Sequence, residues 1–248
     1  MDEIEISEYG NLLIYKSNYS ARFVEKVIRD NNLAGLRIFD YFDQLESLDF
    51  LRQFGFLRRL DITCRYAQDY DFLKSLPQLI SLSVGPLPKT VKPIDLSNQK
   101  NVEYLSLQWQ KRKIKGLEYC ENVRSLVLVE YTENDLSMLS RMNTLEVLKI
   151  KTASIETLHG LEDLANLEKV QLGNCRKLVS ISALSGSSNL SSLEIELCRH
   201  IKDYKNLIDL PKLSLLRLTD CGVIEALGFA DNFPALENIV LTGDTRVL

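Results

Sequence analysis

The sequence predicts an α/β solenoid of about ten short coils, each adding one strand to a parallel sheet and returning through a tight turn. Two observations predict it. An apolar triplet, L-x-x-L-x-L with Ile or Val allowed, recurs along nearly the whole chain, and its middle residues lie 24, 22, 23, 21, 22, 22, 23, 23 and 23 positions apart. The last two apolar residues of each triplet are two positions apart, the period of a strand with one buried face. A strand that short cannot hold a core alone. Stacked on its copies, it forms a sheet in which each coil covers the next.

The segment 1–32 precedes the first triplet. Ile4 and Ile6, then Leu12, Leu13 and Ile14, flank Tyr9-Gly10-Asn11, which reads as a hairpin. Asn18 or Ser20 can then cap a helix carrying Phe23, Val24, Val27 and Ile28 on one face. A solenoid exposes its core at each end unless it is capped, so a cap is the expected role of this segment. An F-box is the functional alternative, but its pattern is not visible.

The repeat domain spans 33–248. Its triplets are Leu33-Leu36-Ile38, Leu57-Leu60-Ile62, Leu79-Leu82-Val84, Val102-Leu105-Leu107, Val123-Leu126-Leu128, Leu145-Leu148-Ile150, Leu167-Val170-Leu172, Leu190-Leu193-Ile195, Leu213-Leu216-Leu218 and Leu236-Ile239-Leu241. The return path between strands carries its own apolar anchors, such as Ile155, Leu158, Leu161 and Leu164. Coils this short leave little room for a long helix, so 3₁₀ or irregular turns are expected there. Pro86, Pro88 and Pro93 predict a bulged coil between Val84 and Val102, because proline removes backbone donors. Lys111-Arg112-Lys113 and Lys115 form a basic cluster that reads as a solvated turn rather than a nucleic-acid patch. After Leu241 no return segment follows, so the last strand reads either as an open edge through which a homodimer could form or as a cut edge within a longer protein.

These units resemble the leucine-rich-repeat family. The stretch from Leu145 to Asn166, LEVLKIKTASIETLHGLEDLAN, is similar to the short class of about 22 residues found in phosphatase-regulator-like and bacterial internalin-like repeats. The resemblance implies a right-handed superhelical arc, or horseshoe, with its parallel strands on the concave face, where a partner protein is held. The family usually places Asn or Cys three residues after the last strand leucine. Cys175, Cys198 and Cys221 stand there in three successive repeats, whereas Tyr41, Arg65, Leu87, Gln110, Tyr131, Ala153 and Asp244 stand there elsewhere. The N-terminal half is thus the irregular one. Each of the three cysteines is expected to turn inward and pack, its thiol weakly bonded to a turn carbonyl. No His or carboxylate is placed to complete a metal site around them.

Composition narrows the function classes. A net charge of −4 argues against general nucleic-acid binding, which needs many phosphate-neutralising cations. No apolar stretch approaches the ~20 residues of a membrane span, and no secretory signal is visible at Met1-Asp2-Glu3-Ile4-Glu5. Five cysteines at wide spacing suggest neither a disulfide framework nor a zinc site. A cytoplasmic protein is expected. His159 and His200 lie in different repeats with no nucleophile, base and acid arrangement around either, and no phosphate loop or H-E-x-x-H is present. No catalytic residue, cofactor or metal is expected.

Strand alternation places the residues between the buried apolar ones outward, and the two just after each strand are expected to point outward as well, where a partner would contact them. Along the sheet these are Phe39 and Asp40, Arg59 and Asp61, Ser81 and Ser83, then Tyr104, Gln108 and Trp109. Val127, Val129 and Glu130 follow, with Tyr131 nearby, then Lys149, Lys151 and Lys169 with Gln171, then Glu194, Glu196, Arg217 and Asp220. Trp109 beside Tyr104, Val127 and Val129 suggests an aromatic anchor; alternatively Trp109 covers the strand end. The basic strip of Lys149, Lys151 and Lys169 beside acidic Glu194 and Glu196 can fix register with a partner or form cross-strand pairs. The leading expectation is a non-enzymatic protein-interaction module. An immunity or inhibitor protein that neutralises a toxin or enzyme domain, and a regulatory subunit of an enzyme such as a phosphatase, are the alternatives. An effector or surface-recognition protein is a third class that would need export.

Overall fold

A computed structural model of the chain describes residues 5–7, 11–40 and 44–248. The chain divides into two compact units, Met1–Cys120 and Glu121–Leu248.

The first unit contains strands β1 (Ile6–Ser7) and β2 (Leu12–Ile14), helix α1 (Ala21–Asp30), then β3 (Gly35–Phe39), β4 (Arg59–Thr63), β5 (Ser81–Val84), β6 (Ile94–Asp95), β7 (Tyr104–Gln108) and β8 (Ile114–Lys115). β1 runs antiparallel to β2, while the hairpin residues 8–10 lie outside the described ones. β2, β3, β4, β5 and β7 then pair in parallel, aligning Leu13, Leu36, Leu60, Leu82 and Leu105 side by side. All five are fully buried. β2 is therefore itself a rung of the parallel sheet, one coil before the first triplet. Helix α1 follows from its cap: Ser20 accepts a hydrogen bond from the Phe23 amide at 3.2 Å, which satisfies one of the free donors of the first turn. Val24 and Val27 are its buried face. In the proline-containing coil Val91, Ile94 and Leu96 are fully buried, and β6 pairs in parallel with β8 on the return side. The basic residues Lys111, Arg112 and Lys115 are exposed on the turn entering β8 and on β8 itself.

The second unit contains β9 (Ser125–Tyr131), β10 (Val147–Ala153), β11 (Lys169–Gly173), β12 (Ser192–Glu196), β13 (Leu215–Thr219), β14 (Val223–Ile224), β15 (Asn238–Thr242) and β16 (Arg246–Val247). β9, β10, β11, β12, β13 and β15 are parallel and in register, so that Leu126, Leu148, Val170, Leu193, Leu216 and Ile239 form one column. The first five are fully buried, whereas Ile239 on the last strand is 41% exposed. Each such buried side chain contributes on the order of 1.5–3 kcal/mol, so the column is one substantial part of a continuous apolar core. The return paths carry single 3₁₀ turns at Ser137–Leu139, Ser182–Leu184, Tyr204–Asn206 and Gly228–Asn232.

Two further ladders hold the second unit. Where each strand ends, one residue enters the left-handed region: Glu130, Thr152, Asn174, Leu197 and Asp220 have φ of 58, 60, 54, 54 and 52°, and Gly243 follows with 66°. This turn points the next residue inward, and in three repeats that residue is a cysteine. The Cys198 thiol donates to the Glu196 carbonyl at 3.2 Å and that of Cys221 to the Thr219 carbonyl at 3.4 Å, while the Cys175 amide donates to the Cys198 sulfur at 3.4 Å. Just before the strands, Asn166 and Asn189 each donate an amide bond of 2.7 Å to a carbonyl of the preceding coil, at Asn143 and Ala165. Among the described residues no helix is long and apolar enough to cross a membrane.

Candidate functional site

The outward rows of the sheet follow from register. In the second unit one row runs Val127, Lys149, Gln171, Glu194, Arg217, Val240, and the next runs Val129, Lys151, Gly173, Glu196, Thr219, Thr242. Lys149 and Lys151 stand two apart on one strand and therefore on the same face. In the first row Glu194 is held from both sides. One of its oxygens accepts the Gln171 amide at 2.7 Å, and the other accepts the Arg217 guanidinium at 3.0 Å. Glu194 and Arg217 are thus a cross-strand pair. Among the described residues Lys149, Lys151, Lys169 and Glu196 form no ion pair, so their charges face solvent.

These residues surround a hollow of about 310 Å³, whose walls include Lys149, Lys151, Gln171, Glu194, Glu196 and Arg217 and whose floor is Gly173. Gly173 does not need its missing side chain for backbone reasons. An added Cβ would meet only the Ile150 carbonyl oxygen, at 3.7 Å, and its φ is not positive. Glycine here opens the floor.

The first unit presents a different face. Arg37 lies 3.8 Å from Asp61, both about a quarter exposed. Burial pushes the Asp61 carboxyl above its ordinary value, against the opposing pull of Arg37, Arg59 and a bond from Ser83. Ser83 and Ser106 continue the row. Arg37 was not singled out from sequence, although it stands between buried Leu36 and Ile38, and the same alternation identifies it. Phe39 is half-buried on β3, beside a hollow of about 330 Å³ that Ile14 and Tyr15 also line.

The expected aromatic anchor is corrected. Trp109 is 5% exposed, Val127 7% and Tyr131 1%, so none of them offers open surface to a partner, although Val127 keeps its outward place in the row with Lys149. Trp109 lies two residues after Leu107, on the parity of buried Leu105 and Leu107, so alternation itself carries it inward although β7 ends at Gln108, and the expectation that residues just after a strand face outward fails there. Tyr131 sits where the left-handed turn at Glu130 points inward, with its hydroxyl donating to the Asp135 carbonyl at 3.1 Å. Gln108 is turned to structural use: its side-chain oxygen accepts the Leu87 amide. Tyr104, in the first unit, remains 38% exposed; Val129, in the second, is half-buried and Glu130 is exposed.

Other titratable groups do not converge. Among the described residues no group of three or more His, Cys, Asp and Glu side chains is placed to hold a metal ion. All five cysteines are free and buried. Burial pushes the thiols of Cys64 and Cys120 up to about 12 and that of Cys221 to about 11, which keeps them protonated and unreactive near neutrality. His159 pairs with Glu162 at 2.9 Å on the exposed surface.

No family model matches the chain. A disease resistance protein of Arabidopsis thaliana, RPP2A, is 27% identical over 160 residues, covering 63% of this chain and 10% of its own length. The chain thus spans about a tenth of the curated relative it matches. An internalin from Listeria monocytogenes, InlF, superposes with a TM-score of 0.64 at 18% identity, over 95% of this chain and 74% of that one. The leucine-rich-repeat ectodomain of the Arabidopsis receptor kinase HAESA, solved in complex with a peptide hormone ligand, gives a TM-score of 0.52 at 17% identity, over 87% and 38%. With the triplet spacing and the in-register parallel strands, these likenesses show that this chain has the leucine-rich-repeat solenoid fold.

Proposed function

We propose that the chain is a non-enzymatic module that binds a protein partner on the outward face of its parallel strands, with the charged face of the second unit as the main contact. The observation that carries this reading is the set of open charges around the hollow: Lys149, Lys151 and Glu196 form no ion pair among the described residues, while Glu194 and Arg217 beside them are paired. Unpaired rim charges cost the fold little and give a partner something to read. The peptide held by the HAESA ectodomain supports the same class of role. Five free buried thiols suit a reducing, cytoplasmic setting.

The test compares the tagged wild-type chain with a Lys149→Glu, Lys151→Glu variant of unchanged circular dichroism, after capture from cell extract. One stoichiometric partner lost in the variant supports the reading; equal retention sinks it. Two finer readings separate by what happens to that partner. An immunity or inhibitor protein abolishes the partner's activity, whereas a regulatory subunit shifts it.

A second reading concerns self-association. Ile239 occupies a core column position yet is 41% exposed on β15, the last strand of its sheet. A homodimer through this edge would cover it, and light scattering of the full chain decides: a monomer at micromolar concentration rules it out.

A further inference from the structure

We infer that the hollow over Gly173 is a site for one extended peptide segment that carries an acidic and a basic side chain two residues apart. This deepens the proposed function and rests on it. The argument starts from the row Lys151, Gly173, Glu196, three neighbours on consecutive strands. Lys151 and Glu196 are therefore roughly 10 Å apart, twice the strand spacing. Among the described residues neither forms an ion pair, and nothing but hydrogen stands between them at Gly173.

A glycine in the middle of a sheet weakens the strand and has no side chain to pack, and it often marks a place where another backbone approaches closely. Gly173 has no internal reason to be glycine, since the space above it accepts a Cβ at ordinary contact distance. The contrast with Gly35 is direct: there a Cβ would lie 2.1 Å from the Arg59 carbonyl oxygen, so the fold itself demands glycine. At Gly173 the demand comes from above the sheet.

The charges define what crosses. Lys149 and Lys151, on the same face of β10, form a two-pronged seat for a carboxylate. Glu196 on the far side of the notch seats a cation. Glu194 is already taken by Gln171 and Arg217 and walls the hollow without competing. In an extended segment, residues two apart point the same way. An acidic residue and a basic residue at that spacing both face the sheet, and the backbone of the residue between them lies over Gly173. Their long side chains splay to reach Lys151 and Glu196.

The test uses the ¹⁵N-labelled full chain and four acetylated octapeptides with central Glu-Ser-Arg, Arg-Ser-Glu, Glu-Ser-Glu or Arg-Ser-Arg. Amide shifts in β10, β11 and β12 are followed on titration. One of the two mixed-charge peptides should bind there about tenfold more tightly than either uniform-charge peptide. Gly173→Val, which a strand tolerates, should weaken that binding about tenfold by filling the notch. Lys151→Glu should make Arg-Ser-Arg the preferred peptide. Equal affinity for all four peptides, or no binding by any, overturns the inference, and so does a Gly173→Val chain that binds as wild type. If the cellular partner is nevertheless lost on Lys149→Glu, Lys151→Glu substitution, the face still binds and only its peptide chemistry has been misread. If that partner is retained and peptide shifts fall outside these strands, both readings fail together.

Discussion

Each of the two units of this chain has its own buried column of apolar residues, and the outward rows beside those columns differ. In the first, the outward row is largely neutralised within the fold: Arg37 faces Asp61, and Ser83 and Ser106 follow. Its coils are irregular, with one α-helix, a proline-containing return and a second short parallel pair formed by β6 and β8. In the second, the coils repeat closely, each strand closes on a left-handed residue, and the outward rows leave charges open around a hollow. Regular spacing is what allows a ladder of identical turns to stack. A regular ladder in turn holds outward side chains in aligned rows, where a set of charges can act as one surface.

The sharpest way to break this comparison is at the two strand glycines. Gly35→Ala in the first unit should cost about 3 kcal/mol, because the new Cβ collides with the Arg59 backbone. Gly173→Ala in the second should be neutral or stabilise by about 0.5 kcal/mol. Hydrogen exchange in β3 and β11 reads each unit separately. An equal loss at both positions would mean that Gly173 serves the fold and not a ligand.

The strand-end turns offer a smaller effect of opposite sign. Leu197 holds a left-handed φ of 54° although its side chain is 38% exposed. Leu197→Asn should stabilise the second unit by about 1 kcal/mol, since asparagine tolerates that conformation better. Thermal unfolding should show it as an upward shift of Tm, and an unchanged or lower Tm would show that the leucine packs usefully there.

Charge removal separates the two faces further. Glu194→Gln should lower stability by about 0.5 kcal/mol, a half-exposed pair with Arg217 being worth no more. Asp61→Asn should leave stability at neutral pH unchanged or raised. The Asp61 carboxyl is pushed up by burial, so its favourable contribution is present at low pH and is lost as pH rises through that raised value. Urea titrations of both variants at pH 7 check the order.

The smallest effect belongs to His159, whose bond to exposed Glu162 raises its pKa from the ordinary value of 6.5. The stabilisation is present below that value and fades as pH climbs through the raised one. Comparing wild type with His159→Gln between pH 5 and 8 should show the difference only at the acidic end.

Much of the fold was legible because it is periodic. The triplets marked ten strands, and Leu13 stands 23 residues before Leu36, the same period carried one coil further back. That spacing signals β2 as a rung even without a full triplet. The outward rows from Lys149 to Arg217 were legible for the same reason, since alternation holds inside a strand. At the ends the two aromatics differ. Trp109 keeps the parity of Leu105 and Leu107 and is buried as alternation requires, whereas Tyr131 follows the left-handed Glu130, where one φ reverses the alternation and turns the ring inward.

The amino-acid sequence by itself determined the coil length, the buried columns, the parallel stacking and the residues of each outward row, because these follow from hydrophobic period alone. The tertiary structure decided which outward charges are paired and which are open. It also decided that Tyr131 turns inward after the left-handed Glu130, and that one glycine is required by a neighbouring backbone while another is not. Those outcomes depend on distances between residues about 22 positions apart in the chain, and such distances are set only when one coil is laid against the next.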